Sequence, residues 1–222
     1  MPVLLVGILP RGRILEHMDD WQIFLSICLG IGLSAACGFR VFVPLLCVSI
    51  ASLTGQVQLG SSFAWVGTTP ALIAFTVATV LEIGAYYLPF VDNLLDTIAG
   101  PLAALAGVFV AALAMTDVDP FWRWTLAIIA GGGMAASTQL ATTKLRAISS
   151  ATTAGIGNPV LATVEAIVAS VLSAISLIWP VAALIVAIVL LVTCWVVVRF
   201  IGKRLLRLFR RDARAAVTPV SR

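Results

Sequence analysis

Residues 21–54 run for 34 positions with one charged side chain among them, Arg40, in the stretch CGFRVFVPLL. Such a run fixes the solvent before it fixes the fold. About 20 apolar residues in a helix cross the ~30 Å of a bilayer's hydrocarbon, and apolar segments of that order recur along nearly the whole chain. Of its 222 residues 61% are hydrophobic and 11% charged, with a mean hydropathy of +1.10. That composition is an integral membrane protein's, and it leaves no stretch for a folded soluble domain.

The apolar pattern divides into segments 22–54, 70–88, 101–115, 124–145, 159–178 and 181–198. Pro70, Pro101 and Pro159 open three of them, where a missing amide hydrogen costs least. The expected architecture is all-α, a polytopic bundle of about six transmembrane helices. A cytoplasmic N-terminal extension (1–21) leads into a transmembrane domain (22–200), followed by a basic cytoplasmic tail (201–222). Met18 reads as an alternative start, since MDDWQIF leads straight into the first span.

Six crossings put both termini on one side, and the basic residues agree on which. Arg11, Arg13, Lys144, Arg146 and the basic residues from Arg199 onward fall on that side, leaving Arg123 opposite and Arg40 within the membrane. An excess of Lys and Arg marks the cytoplasmic face. Trp65, Trp122, Trp124 and Trp179 then fall near the outer interface. The tail run RFIGKRLLRLFRRDAR supplies most of the net charge of +4 and is expected to lie on the anionic inner leaflet, so membrane lipid is the implied partner and nucleic acid is not.

The two halves resemble each other. TPALIAFTVATVLEIGA from Thr69 and NPVLATVEAIVASVLSA from Asn158 share a polar-Pro-x-Leu opening, and Pro89 and Pro180 follow them; upstream, GIGLSAA from Gly30 lies opposite GGGMAAS from Gly131. The pattern predicts an inverted repeat of three plus three helices, about 22–115 and 124–200, with a broken first segment in each half. Residues 22–54 as one helix would be about 50 Å long, well beyond the hydrocarbon. Gly38 and Pro44 bracket Arg40 and mark the expected break, where an arginine can satisfy freed carbonyls. Gly131, Gly132 and Gly133, with Ser137, Thr138, Gln139, Thr142 and Thr143, occupy the matching region of the second half.

Glu82 and Glu165 are the acidic residues deep in spans. An unpaired charge at the bilayer centre costs about 2.5–3.5 kcal/mol on the lenient insertion scale, so both should face a partner or a wetted cavity. Two readings stay open. In one, Arg40, Glu82 and Glu165, with Gln139 and Asn158, line the path of an ion or small solute; in the other, the charges only fasten helices together. Asp92 and Asp96 share one face of a short amphipathic helix at the cytoplasmic interface and read as solvated. Cys28, Cys37, Cys47 and Cys194 read as small buried hydrophobes, and His17 is the only histidine. No metal site, cofactor or catalytic constellation is expected, and hence no enzyme.

The ordered elements GFRVFVPLL, LEIGAYYLPFVDNLLDTIAGPLAALAG and GNPVLATVE resemble the bacterial membrane family known as domain of unknown function 4126. The resemblance points to Gly38, Arg40, Pro44, Glu82, Pro89, Asp92, Asn158, Pro159 and Glu165. It implies a multi-pass protein of the bacterial cytoplasmic membrane and carries no biochemical activity. This chain departs from the family at Tyr86 and Tyr87, where members often look like Asp-Lys, so a lysine partner for the acidic loop is missing. A homodimer fits six short spans that enclose little volume alone. Accessibility separates the two readings: a cysteine beside Glu82 should react with a water-soluble thiol reagent from one side if it borders a path, and stay protected if the charges only fasten helices.

Overall fold

The computed structural model describes residues 11–87, 89–116 and 118–215; the side chains of residues 11–19, 89–97, 202 and 204–215 lie outside that description. Among the described residues the fold is all-helical. In order come α1 (Arg11–Cys37), α2 (Phe42–Leu53), α3 (Thr69–Ala85), α4 (Pro89–Ala114), α5 (Pro120–Leu126), α6 (Gly133–Thr153), α7 (Asn158–Ile178) and α8 (Pro180–Ala215). A 3-10 helix, Ser61–Gly67, precedes α3, and a π-helical turn, Ala127–Gly132, joins α5 to α6.

Local chemistry explains the boundaries. The Thr68 hydroxyl accepts from the Ala71 amide and Pro70 fills the first turn of α3; Asp119 accepts from the Phe121 amide, with Pro120 opening α5. These are helix starts in which a side-chain oxygen meets an orphan amide and a proline removes another. At its other end α6 stops at Ala154 and Gly155, both in the left-handed region (φ 53° and 87°), which turns the chain back into α7.

The overlong 22–54 segment is two helices. After Cys37 the amides of Gly38, Phe39 and Arg40 fold back onto carbonyls of Ser34, Ala35 and Ala36, and α2 resumes at Phe42. In the second half no such interruption occurs. The Gly131–Gly133 run winds as the end of the π turn and passes directly into α6. The helices also outrun the apolar pattern, α1 beginning at Arg11 and α6 continuing to Thr153.

Among the described residues three helices are long and apolar enough to cross a membrane: α1 from Asp20 to Cys37, α7, and α8 from Pro180 to Ile201. The 3-10 helix and α3 qualify together as a pair bent by 63°, either a broken span or a re-entrant loop. Helix α2 and the 98–114 part of α4 are apolar but shorter. Helix α6 carries too many hydroxyls, with Gln139, Lys144 and Arg146, to qualify by composition.

α1 packs on α4, α7 and α8; α4 packs on the π turn and α6; α2 rests on α3 and α7. One core cluster gathers around Leu33, Cys37, Val48, Val110 and Met115, and a second around Ala35, Ala36, Leu172, Ala183 and Ala187. The buried set is rich in small and polar residues, while Ile73, Val80, Leu81, Ile185, Val192 and Val196 face outward. That inversion of the soluble pattern suits a lipid surround, where small residues let backbones approach. Ser34 Oγ sits 2.7 Å from the carbonyl oxygens of both Gly30 and Gly107, tying α1 to α4.

The closest approach involving the break is at Gly38. A Cβ there would lie 2.4 Å from Thr138 Cβ and 2.5 Å from the Ala135 carbonyl oxygen, whereas a Cβ on Gly133 would meet nothing within 4 Å. Gly38→Ala should therefore lose about 1–3 kcal/mol to overpacking, and Gly133→Ala should be neutral or stabilising by up to about 1 kcal/mol of helix propensity. Thermal unfolding of the two variants in one detergent checks the contrast.

Candidate functional site

A helix that starts inside an apolar bundle exposes amide hydrogens that have no water to turn to. Pro44, buried at the third position of α2, carries none, which leaves the first ones. Glu82, near the end of α3, answers them. Its Oε1 accepts from the Val41 amide (2.7 Å) and its Oε2 from the Phe42 amide (3.0 Å). A carboxylate at a helix N-terminus also matches the positive end of the helix dipole, worth up to about 2 kcal/mol in a partly buried setting. Glu82 is held there because α3 packs along α2.

Arg40 points the other way, into the bundle, and is 1% exposed. Its Nη2 donates to the Ala162 carbonyl of α7 at 2.8 Å and lies 3.4 Å from Glu165 Oε2. Its Nε and Nη1 have no hydrogen-bond acceptor among the described residues. The guanidinium carbon instead lies 4.0 Å from the centroid of the Tyr86 ring. A second arginine completes the group. Arg146 donates to Glu165 through both Nε (3.2 Å to Oε1) and Nη2 (to Oε2), and its guanidinium carbon lies 3.9 Å from the same Tyr86 centroid. Arginines from the break and from α6 thus share one carboxylate of α7, and both guanidiniums lie against one aromatic ring, the arrangement favoured for a desolvated cation.

Among the described residues the two buried arginines share the carboxylate of Glu165. Glu82, at the amide of the residue after Arg40, adds a second negative charge close by. The sites are linked through the backbone of residues 40–42, although Glu82 forms no ion pair with either arginine among the described residues.

The remaining residues singled out from the sequence fall as follows. Gln139 is buried on α6 and its Nε2 donates to Thr143 Oγ1 at 3.3 Å; Asn158 opens α7 and its Nδ2 donates to Ser150 Oγ at 2.9 Å across the α6–α7 turn. Pro159 lies in the first turn of α7, and Gly38 in the break itself. Pro89 is the first residue of α4, and the side chains of Pro89, Asp92 and Asp96 lie outside the described residues. Lys144 sits over the Trp195 ring at 4.4 Å, joining α6 to α8. All four cysteines are free, and among the described residues no group of three His, Cys, Asp or Glu side chains is placed to hold a metal.

A half-open cavity of about 390 Å³ lies against the break. Apolar side chains around α2, α3 and α4 form its wall, among them Phe42, Ala78, Leu81, Ile98 and Leu102; Glu82 and Tyr86 are its polar members among the described residues.

Residues 27–200 match the family described as domain of unknown function (DUF4126). The chain belongs to this family. No curated protein and no solved structure matches it. The DUF4126 region contains the whole site: Arg40, Glu82, Tyr86, Arg146 and Glu165, together with the helices that carry them. Together with its apolar helices, this membership points to a membrane protein.

Arg146 and Tyr86 were absent from the residues proposed to line a path. A signal for the first was present in the sequence: Thr138 or Gln139, Thr142 and Arg146 recur at helical spacing and form a buried polar stripe along α6.

The two carboxylates carry different burdens, and that difference is measurable. Glu165→Gln removes the carboxylate that two adjoining buried guanidiniums share, a loss of about 3–5 kcal/mol. Glu82→Gln keeps one acceptor oxygen and forfeits one hydrogen bond, about 1–3 kcal/mol. Thermal melts of both variants in the same detergent should rank Glu165→Gln well below Glu82→Gln; equal melts would mean that Glu165 is not what holds the arginines.

Proposed function

We propose that this protein is a small membrane transporter or channel, with no enzymatic activity, that passes an ion or small solute by the charged centre of Arg40, Glu82 and Glu165. The observation that carries the reading is that a half-open cavity reaches Glu82, the carboxylate capping the broken first segment. From there a short chain of contacts leads inward: the Val41 and Phe42 amides, Arg40, Glu165 and Arg146. A solute that drew charge from Glu82 would loosen the start of α2 and shift Arg40 relative to Glu165. A break whose two sides are held by separate carboxylates can exist in two arrangements, as alternating access requires.

The proposal includes six crossings in two inverted halves, α1 to α4 and α5 to α8, each with its first helix irregular near the middle, by a break at residues 38–41 or by a π turn at residues 127–132. It also includes a bacterial cytoplasmic membrane, both termini on the cytoplasmic side, the basic tail on anionic lipid, and a homodimer as the assembly.

A second reading has its own support. Arg146 holds Glu165 with two donors and Arg40 is shut off from solvent, which is how a permanent fastening between α6, α7 and the break would look. Ion and proton flux in proteoliposomes decides between them. Wild-type protein should conduct, and Glu82→Gln, Glu165→Gln and Arg40→Gln proteins that remain folded should lose that flux by about tenfold or more, the loss of at least 1.4 kcal/mol of interaction. Silent wild-type protein would favour the fastening.

A further inference from the structure

The cavity beside Glu82 has an apolar rim. Leu81, Ile98 and Leu102 line it and are themselves exposed on the outer surface of the bundle, in the same manner as the outward residues of α8. An opening edged by such side chains suits hydrocarbon better than water. We propose that this cavity binds a hydrophobic organic cation, an apolar body carrying one protonated nitrogen, which enters sideways from the bilayer and sets its nitrogen on the Glu82 carboxylate.

Three observations select that class. The volume of about 390 Å³ suits a small molecule, whose sites typically span about 300–1,000 Å³. The apolar wall accepts a hydrocarbon body, and among the described residues Glu82 is its charged member. Each Glu82 oxygen accepts one backbone amide and keeps a further lone pair, so an N–H donor can be added without dislodging the cap. The cationic groups that would repel such a ligand, Arg40 and Arg146, are not part of the wall; they contact the Tyr86 ring and share Glu165. An acid of the same shape would press one carboxylate on another in an apolar pocket, and a neutral alcohol would add a hydrogen bond to Glu82 without a charge to strengthen it.

This names the solute class for the site proposed above and rests on that reading only for what the protein does with the bound molecule; binding is measured separately from flux. The experiment uses the full chain in nanodiscs of zwitterionic lipid. The probe is a decylamine bearing a photoreactive diazirine in its chain, with the matching decanol and decanoate as comparators, and labelled peptides are identified by mass spectrometry. The amine should label α3 and the 98–102 part of α4 saturably and be displaced by plain decylamine. Its affinity should fall about tenfold or more in Glu82→Gln. Ala78→Phe, which fills the cavity and leaves the carboxylate in place, should abolish labelling. Equal labelling by alcohol and amine, or unchanged affinity in Glu82→Gln, would overturn the proposal and leave an ordinary lipid groove. Amine binding without flux would sink the transport reading alone; flux without amine binding would sink the solute class alone.

Discussion

Inside hydrocarbon a backbone amide without a partner costs several kcal/mol, and the interruption at residues 38–41 creates such amides in the middle of the bundle. The pairing of Glu82 with the Val41 and Phe42 amides is the interaction on which the rest depends. It lets α2 begin inside the bundle, which in turn places Arg40 just ahead of α2 with its side chain free to run inward to α7. Without that cap, α2 would have to extend α1 or leave the bundle, and the contacts of α2 with α3 and α7 would go with it.

The inward side is held by a different device. A lysine at position 40 would offer a compact, strongly hydrated ammonium, costly to desolvate at full burial. The guanidinium spreads its charge over a plane that can donate to a carbonyl, approach a carboxylate and lie against an aromatic ring at once, and Arg40 does all three. Arg146 repeats two of these contacts from the opposite side of the sequence. Tyr86 therefore acts as a shared neutral surface for two cations.

Much of this was legible from residue types. The first segment was too long to cross once, so a break near Gly38, Arg40 and Pro44 followed from helix geometry, and the two buried acids stood out because charges are rare in such segments. Their partners were not legible, since contacts between helices far apart in sequence leave no local trace. Arg40 was expected to satisfy carbonyls freed by its own break; it reaches the Ala162 carbonyl on α7, while the orphan groups at the break are amides and go to Glu82. Arg146 was set at the membrane edge because the apolar pattern stops at residue 145. The helix continues to Thr153, and the side chain is buried against Glu165. The glycines 131–133 looked like a second break, but glycine permits an irregular turn as readily as a gap, and the close packing of Gly131 on Gly107 keeps the helix in line.

That irregular turn sets the phase of everything after it. Each residue of a helix advances by about 100°, so a helical stretch that accommodates an extra residue rotates all later side chains relative to the earlier ones. From Pro120 to Thr153 the chain is one helical rod whose start shows Trp122 and Trp124 to the surroundings and whose far part shows Thr138, Thr142 and Arg146 to the bundle. The π turn is the only irregularity between those two faces among the described residues. Lineages of this family should therefore keep the length of residues 127–132, because a one-residue deletion would swing Arg146 away from Glu165 even though every residue of the charged centre remained.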